Sequence, residues 1–359
     1  MTIDNNTLNS LKGARILVTG STGFKGSWLC TWLTEIGAQV TGFSLPAKSD
    51  APLFNQLKLH DRIDQYDGDI RDFNSIKSVI EKTKPEAIIH LAAQALVRYG
   101  YQNPKGTFDT NVGGGINLLE ALRNCSYVRA LVFITSDKCY KNKEWIWGYR
   151  ENDELGGSDP YSASKAAVEN IFNGYYQSFM EANRGMDAVT TRAGNVIGGG
   201  DLSPDRIVPD CIRALRTQTP IEVRNPVATR PWQHVLEPLS GYLTLTSEIL
   251  KNPNNTRGAW NFGPNTENVR PVKELADLAI DIWGSGSVSV QQDHSAPHES
   301  NLLMLSSDKA KTRLGWNPVW NFERCVAEAI SWYQKVDAGQ NPLDLTVSQI
   351  SSYVSSSPE

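Results

Sequence analysis

The stretch "RILVTGSTGFKGSWLCTWLTEIG", residues 15–37, limits the possible folds more than any other part of the chain. An apolar run leads directly into three glycines, Gly20, Gly23 and Gly26. Trp28, Leu29, Trp32 and Leu33 then recur at helical spacing. Strand, glycine turn and helix in this order let backbone approach a pyrophosphate closely. The start of the helix adds unpaired N–H groups and the positive end of its dipole. Further on, the short apolar runs "QVTGFSL", "RIDQYDGDI", "EAIIHLAA", "RALVFITS" and "AVTTRAGNVIG" alternate with helical patterns. Among these are "NSIKSVIEKTK" and a helix predicted from Tyr161 to about residue 184. Strands that are apolar throughout, set between helices, imply a parallel sheet covered on both faces. The expected fold is therefore α/β, a doubly wound Rossmann sheet with ligands off the carboxyl ends of its strands.

After Gly198 the pattern breaks up. "GGGDLSPDRIVPD" is loop-rich, "PIEVRNPVATRPWQHV" reads as strand and turn, and "PVKELADLAIDIWG" as a helix. The expected division is a dinucleotide-binding domain over 1–198 and a smaller mixed α/β lobe over 199–359. The chain is expected to return to the first lobe near 235–261. The tail "SSYVSSSPE" reads as frayed.

Composition excludes several classes of function. A net charge of −4 gives no electrostatic footprint for nucleic acid or anionic lipid. The five cysteines are scattered without CxxC spacing and read as reduced thiols. The five histidines show no ligand spacing, so no metal is expected. The polar start "MTIDNNTLNSLKG" and the lack of a bilayer-length apolar run point to a cytoplasmic protein without membrane contact.

The glycine turn, with Thr22, Phe24 and Lys25, is the predicted phosphate loop. An acid usually ends the second strand of an NAD site, to hold the ribose hydroxyls. Here Ser44 stands at that point. Ser44 can bond one hydroxyl, whereas Lys48 nearby would favour a 2′-phosphate, so this position leaves NAD and NADP open. Asp69 and Ile70 are placed to hold the adenine, and Leu91, Ala92 and Ala93 to line the middle of the cofactor. Asn111 is grouped with these cofactor residues.

"YSASK" puts Tyr161 and Lys165 four apart, on one face of a helix. A nearby ammonium and a positively charged nicotinamide would both favour the phenolate, well below the usual pKa of about 10. Thr135, ending the preceding strand, is the expected hydroxyl partner of Tyr161. Asp137 and Lys138 follow it directly. Alcohol oxidation or 4-epimerisation leaves these two without a task. Elimination of water beside a 4-ketone uses both, a base for the C5 proton and an acid for the departing O6. The plainer reading is a salt-bridged pair at a strand end, but neighbours on a strand point opposite ways. A non-catalytic dinucleotide-binding scaffold would predict a broken set, and this set is complete.

Together with "HLAAQALVRYGYQNP", "TSDKCYKNKEWIWGYRENDELGGSDPYSASK", "RAGNVIGGGD", "DRIVPD" and "RPWQHVLEPLSGYL", these residues resemble the CDP-glucose 4,6-dehydratases of the extended short-chain dehydrogenase/reductase superfamily. The likeness runs over residues 15–243, and more weakly to about residue 332. It implies a CDP-D-glucose substrate, a CDP-4-keto-6-deoxy-D-glucose product, and NAD recycled within each turnover. It also implies a role in deoxy-sugar biosynthesis for surface polysaccharide such as lipopolysaccharide O-antigen. By this likeness Asp137 is the acid at O6. Lys138 is the C5 base, where dTDP-glucose and GDP-mannose 4,6-dehydratases carry Glu. A lysine base acts in its neutral form, which a cationic cofactor assists.

Asn195, Arg206 and Arg230 are the expected holders of the substrate diphosphate, arginine being suited to it by its planar fork. Gln94, Arg98, His298 and Glu299 are assigned to the sugar or the nucleotide. Helices near 115–124 and 161–177 would build a homodimer or homotetramer. Ala121, Leu122, Ile171, Phe172 and Tyr175 fit either a partner's helices or the sheet. Trp145 and Trp147 are expected to pack their loop rather than cover the sugar. An inverting UDP-N-acetylglucosamine 4,6-dehydratase shares the Asp-Lys pair, but "WIWGYRENDELGG" is unlike it. A dehydratase or 4-epimerase of a UDP- or dTDP-sugar is the remaining alternative.

Overall fold

The computed structural model describes residues 5–47, 52–181, 185–253, 255–290 and 302–356. Its centre is a seven-stranded sheet. Six of the strands come from residues 15–193: β1 (Arg15–Thr19), β2 (Gln39–Ser44), β3 (Asp64–Asp67), β4 (Ala87–His90), β5 (Ala130–Ile134) and β6 (Asp187–Ala193). The seventh, Gly258–Phe262, arrives late and pairs with β6. The order is 258–262, β6, β5, β4, β1, β2, β3, and every pairing is parallel. Strand order reverses between β4 and β1, which opens a crevice at their carboxyl ends.

The apolar strands divide their side chains between two cores. Ile16, Val18, Ile89 and Val132 face one core, with the helices Phe24–Ile36 and Leu236–Lys251 over it. Leu17, Ile88, Leu131 and Phe133 face the other, under the helices Phe73–Thr83, Gly114–Leu122 and Pro160–Tyr175. Alternation along each strand makes this split. Burial on both faces explains why β4 and β5 lack a polar side.

Beyond β6, three small strand pairs form the wall opposite the main sheet. Val196–Ile197 runs beside Gln233–His234, Ile221–Val223 beside Val288–Val290, and Thr229–Pro231 against Val269–Pro271. Between the members of these pairs, helix Leu236–Lys251 packs on the main sheet and Gly258–Phe262 joins its edge beside β6. The C-terminal stretch differs from the frayed tail expected from its serines. Helix Pro342–Ser355 is capped by the Asn341 side chain, which accepts from Leu343 N. Tyr353 is fully buried against Trp32 and donates to Glu237 at 2.7 Å. One buried tyrosine with a carboxylate partner outweighs the polar run around it. Among the described residues, no helix is long and apolar enough to cross a membrane.

Candidate active site

A cavity of about 1500 Å³ opens at the carboxyl ends of the strands, between the sheet and the opposite wall. It brings together Gly20, Thr22, Gly23, Phe24, Lys25, Gly26, Ser44, Asp69, Ile70, Leu91, Ala92 and Ala93 from the first half of the sheet. Thr135, Asp137, Lys138, Tyr161 and Lys165 line its middle, with Gln94, Arg98, Asn195, Arg206 and Arg230 around them. His298, Glu299 and Lys48 lie outside the described residues.

The glycine turn is tight for a stated reason. Gly20 sits at φ +76°, and a Cβ there would come 2.8 Å from the Ala92 nitrogen. A Cβ on Gly26 would run into the Gly20 carbonyl oxygen. Ser44 Oγ is 2.7 Å from Thr22 Oγ1, which ties the end of β2 to the loop. Asp69 is gripped by Arg71, whose Nε lies 2.9 Å from Oδ2, and this contact lowers the Asp69 pKa. Arg71 also lines the cavity, and sequence reasoning passed over it.

Asn111 departs from expectation. It is buried and does not line the cavity; its Oδ1 accepts from Gln94 N at 2.8 Å. Its Nδ2 donates to Gln94 O at 3.0 Å and to Ser164 Oγ at 2.8 Å. Asn111 thus pins the Gln94 backbone to the Tyr161–Lys165 helix instead of lining the site.

Thr135 departs further. β5 ends at Ile134, but Thr135 N still bonds Thr191 O at 2.8 Å, so Thr135 continues the strand direction. Its hydroxyl donates inward, to Glu169 Oε1 at 2.5 Å. The hydroxyl close enough to Tyr161 to lower its pKa belongs to Ser136. Ser136 also caps the short turn Asp137–Cys139, accepting from Lys138 N at 3.2 Å and donating to Asp137 Oδ1 at 3.0 Å. The turn corrects a second expectation. Asp137 and Lys138 are not strand neighbours pointing apart, and both reach the cavity. A buried charge pair beneath Thr135 redirects its side chain, and nothing local in "ITSDK" announces that pair.

The charges at this centre are strained by burial. Tyr161 is pushed up to about 12, chiefly by desolvation, with Ser136 and Arg206 pulling the other way. Lys165 is brought down to about 8 by burial. Asp137 is raised above the usual carboxylate range by burial, which the Lys138 charge only partly offsets. Its Oδ2 has no hydrogen-bond partner among the described residues. A Cβ on Gly194 would lie 3.3 Å from that oxygen. A buried carboxyl with one bare oxygen facing a cavity is set up to hold a proton and give it away.

Arginines ring the far side. Arg206 pairs with Asp201 at 3.0 Å, and Asp205 lies 3.4 Å from both Arg98 and Arg224. Arg230 is buried and close enough to Asp137 to lower its pKa. In the long loop, Trp145 packs on Tyr149 at 5.2 Å between ring centroids. Trp147 is 67% exposed, so only Trp145 follows the packing expectation. Leu122 and Phe172 are buried in the sheet core, with Ala121, Ile171 and Tyr175 packed at its edge. Tyr99, Tyr101, Phe108 and Phe179 are exposed aromatics.

Residues 17–329 match the family model described as GDP-mannose 4,6 dehydratase. The chain is 42% identical over 351 residues to a CDP-glucose 4,6-dehydratase of Salmonella typhimurium, covering 97% of this chain and 98% of that one. Among solved structures, it superposes on a Thermus thermophilus UDP-glucose 4-epimerase in complex with NAD with a TM-score of 0.73 at 25% identity. That match covers 88% of this chain and 98% of the other. A Bacillus anthracis dTDP-glucose 4,6-dehydratase in complex with NAD gives a TM-score of 0.75 at 22% identity, covering 92% and 99%.

Proposed function

The chain belongs to the GDP-mannose 4,6 dehydratase family, and on that premise we propose that it converts CDP-D-glucose to CDP-4-keto-6-deoxy-D-glucose with NAD, as a hydro-lyase. The chemistry is carried by one observation. A buried, under-bonded Asp137 shares a cavity with Tyr161, Lys138 and a phosphate loop. A 4-epimerase has no use for that acid. The CDP assignment is supported by the full-length likeness to the Salmonella enzyme.

The loop fits a dinucleotide, because Gly20 and Gly26 let the turn fold tightly onto its own backbone and onto Ala92, where a Cβ would clash, and the turn lines the cavity at a helix start. Thr22 to Gly26, Ser44, Asp69 and Leu91 to Ala93 would hold the cofactor. When bound, NAD would supply the hydride acceptor for oxidation at C4 and, once reduced, the hydride donor for C6. The chain's own residues move the protons. Tyr161 takes the proton of the C4 hydroxyl, oriented by the Ser136 hydroxyl. Its pKa of about 12 means that it needs the added positive charge of the loaded site to do so near neutrality. Lys138 takes the C5 proton, Asp137 gives its proton to O6 as water leaves, and the proton held by Lys138 goes back to C5 as C6 is reduced. Arg206 and Arg230, with Asn195, hold the diphosphate. Arg98 and Arg224 stand at the same wall.

The reading extends to a homodimer or homotetramer built on the faces that expose Tyr99, Tyr101, Phe108 and Phe179. It also extends to a cytoplasmic role in supplying deoxy sugars for surface polysaccharide. The test is mass spectrometry of the protein with NAD and a panel of CDP-, dTDP-, UDP- and GDP-sugars. Loss of one water from CDP-glucose is the expected result. Water loss from another sugar alone would overturn the substrate, and no water loss from any would overturn the reaction.

A further inference from the structure

Lys25 is the second residue of the helix Phe24–Ile36, inside the glycine turn. Its amine turns inward, with Nζ 3.2 Å from Tyr242 Oη and 5.5 Å from the centroid of that ring. Tyr242 is fully buried on helix Leu236–Lys251. A phenol is a neutral partner, and among the described residues no carboxylate forms an ion pair with this amine. Three charged groups face it: Arg206 from the segment before helix Ile207–Thr217, Lys165 from helix Pro160–Tyr175, and Asp137 from the turn after β5. That sets two cations against one acid, and burial holds the acid toward its neutral form. The loop shaped to receive a diphosphate therefore carries an amine without a counter-ion.

We propose that Lys25 is a cofactor-binding group in its own right: the diphosphate of the dinucleotide is the counter-ion its amine lacks, and capture of NAD takes up a proton at Lys25 Nζ. This rests on the NAD reading given above. Burial first, then the Arg206 and Lys165 charges, bring Lys25 down to about 7. Near neutrality roughly half of the free protein then carries this amine uncharged. An anion placed on the loop favours the ammonium, so the complex binds a proton that the free protein lacks. Linkage fixes the sign. Affinity for NAD falls as pH rises above the free-protein value, by up to about tenfold per pH unit. Lys165, brought down to about 8 in the same cavity, is the competing site for such a proton.

The experiment is calorimetric titration of NAD into the cofactor-stripped full-length protein, in phosphate and Tris buffers of contrasting ionisation enthalpy. The expected result is uptake of about half a proton at pH 7, approaching one at pH 8. Lys25→Met should still bind through the backbone of the loop, about tenfold more weakly, with no uptake. Lys25→Arg should keep the affinity without uptake, since a guanidinium is always charged. Binding of NAD without proton uptake in the unsubstituted protein would overturn the proposal. So would uptake that persists in Lys25→Met or Lys25→Arg, which would put the proton on Lys165. Uptake on titrating CDP-glucose but not NAD would assign the amine to the substrate's diphosphate instead. Absence of NAD binding at every pH would sink the cofactor reading itself, a result distinct from binding without uptake.

Discussion

Glu169 accepts from Thr135 Oγ1 at 2.5 Å, from Thr190 Oγ1 at 2.9 Å, and from Arg192 Nε and Nη2 at 2.8 Å each. Asp137, an equally buried acid beside the same end of β5, has one oxygen on Ser136 and the other on nothing among the described residues. The two carboxylates stand on either side of Thr135 and Ser136, and the chain treats them in opposite ways. Glu169 is saturated, and its partner Arg192 is further held by Tyr140 at 2.7 Å. That knot ties β5, β6 and the Tyr161 helix together from below. Asp137 is left short of partners, on the side where a ligand can reach it. Where a folded chain withholds hydrogen bonds from a buried acid, that acid is a candidate for chemistry. Where it supplies them fully, the acid is part of the frame.

Removing the frame should have the largest effect. Glu169→Ala leaves the Arg192 guanidinium buried without its carboxylate, at a cost of about 3–5 kcal/mol of stability. Denaturant unfolding measures this, and a loss below about 1 kcal/mol would erase the contrast with Asp137. Asp137→Asn should do the reverse. Dehydration should fall by about 10²–10⁴-fold, while C4 oxidation continues and reduced cofactor builds up in the absorbance spectrum. Its folded protein should be at least as stable as the unsubstituted one near neutral pH. The sign follows from the raised pKa of Asp137. Between the unfolded carboxylate value, about 3.9, and the higher folded one, the native state binds more protons, so stability falls as pH rises. The advantage of the asparagine should therefore vanish in acid, below that unfolded value.

A paired substitution sharpens the boundary between frame and site. Ser136→Ala should slow turnover by about 10²-fold with little change in unfolding. Thr135→Val should cost about 1–2 kcal/mol of stability and leave the rate within a fewfold. Exchange of these two outcomes would return the Tyr161 partner to Thr135. The smallest loss of turnover among the site substitutions should come from Gly194→Ala. Its Cβ would sit 3.3 Å from Asp137 Oδ2 and 3.0 Å from Pro231 Cγ, tighter than a relaxed contact. Steady-state kinetics should show a loss of about tenfold in kcat, with KM nearly unchanged.

Much of this was legible in the chain itself, for physical reasons. A phosphate loop is local, because three glycines between an apolar run and a helix serve one backbone geometry. Doubly buried strands announce themselves as unbroken apolar runs. The spacing of Tyr161 and Lys165 is a property of one helix. Charged residues beside a strand end, Asp137 and Lys138, stood out because burial should exclude them. Tertiary structure decided what depended on contacts distant in sequence. Thr135 and Ser136 are equivalent by composition, and only Glu169 and Arg192, packed in from another helix and strand, turn one inward and leave the other for Tyr161. Asn111 became a brace rather than a ligand because Gln94 and Ser164 reach it first. Tyr353 anchored a serine-rich tail because Glu237, more than a hundred residues earlier, offered it an acceptor. Lys25 reads as one more loop residue until Tyr242 draws its amine under the site. Sequence determined which groups are present and which backbone they ride on. The partners those groups find, and hence which of them keep an unsatisfied charge, were set by the fold, because hydrogen bonds and burial depend on distances that the order of residues does not contain.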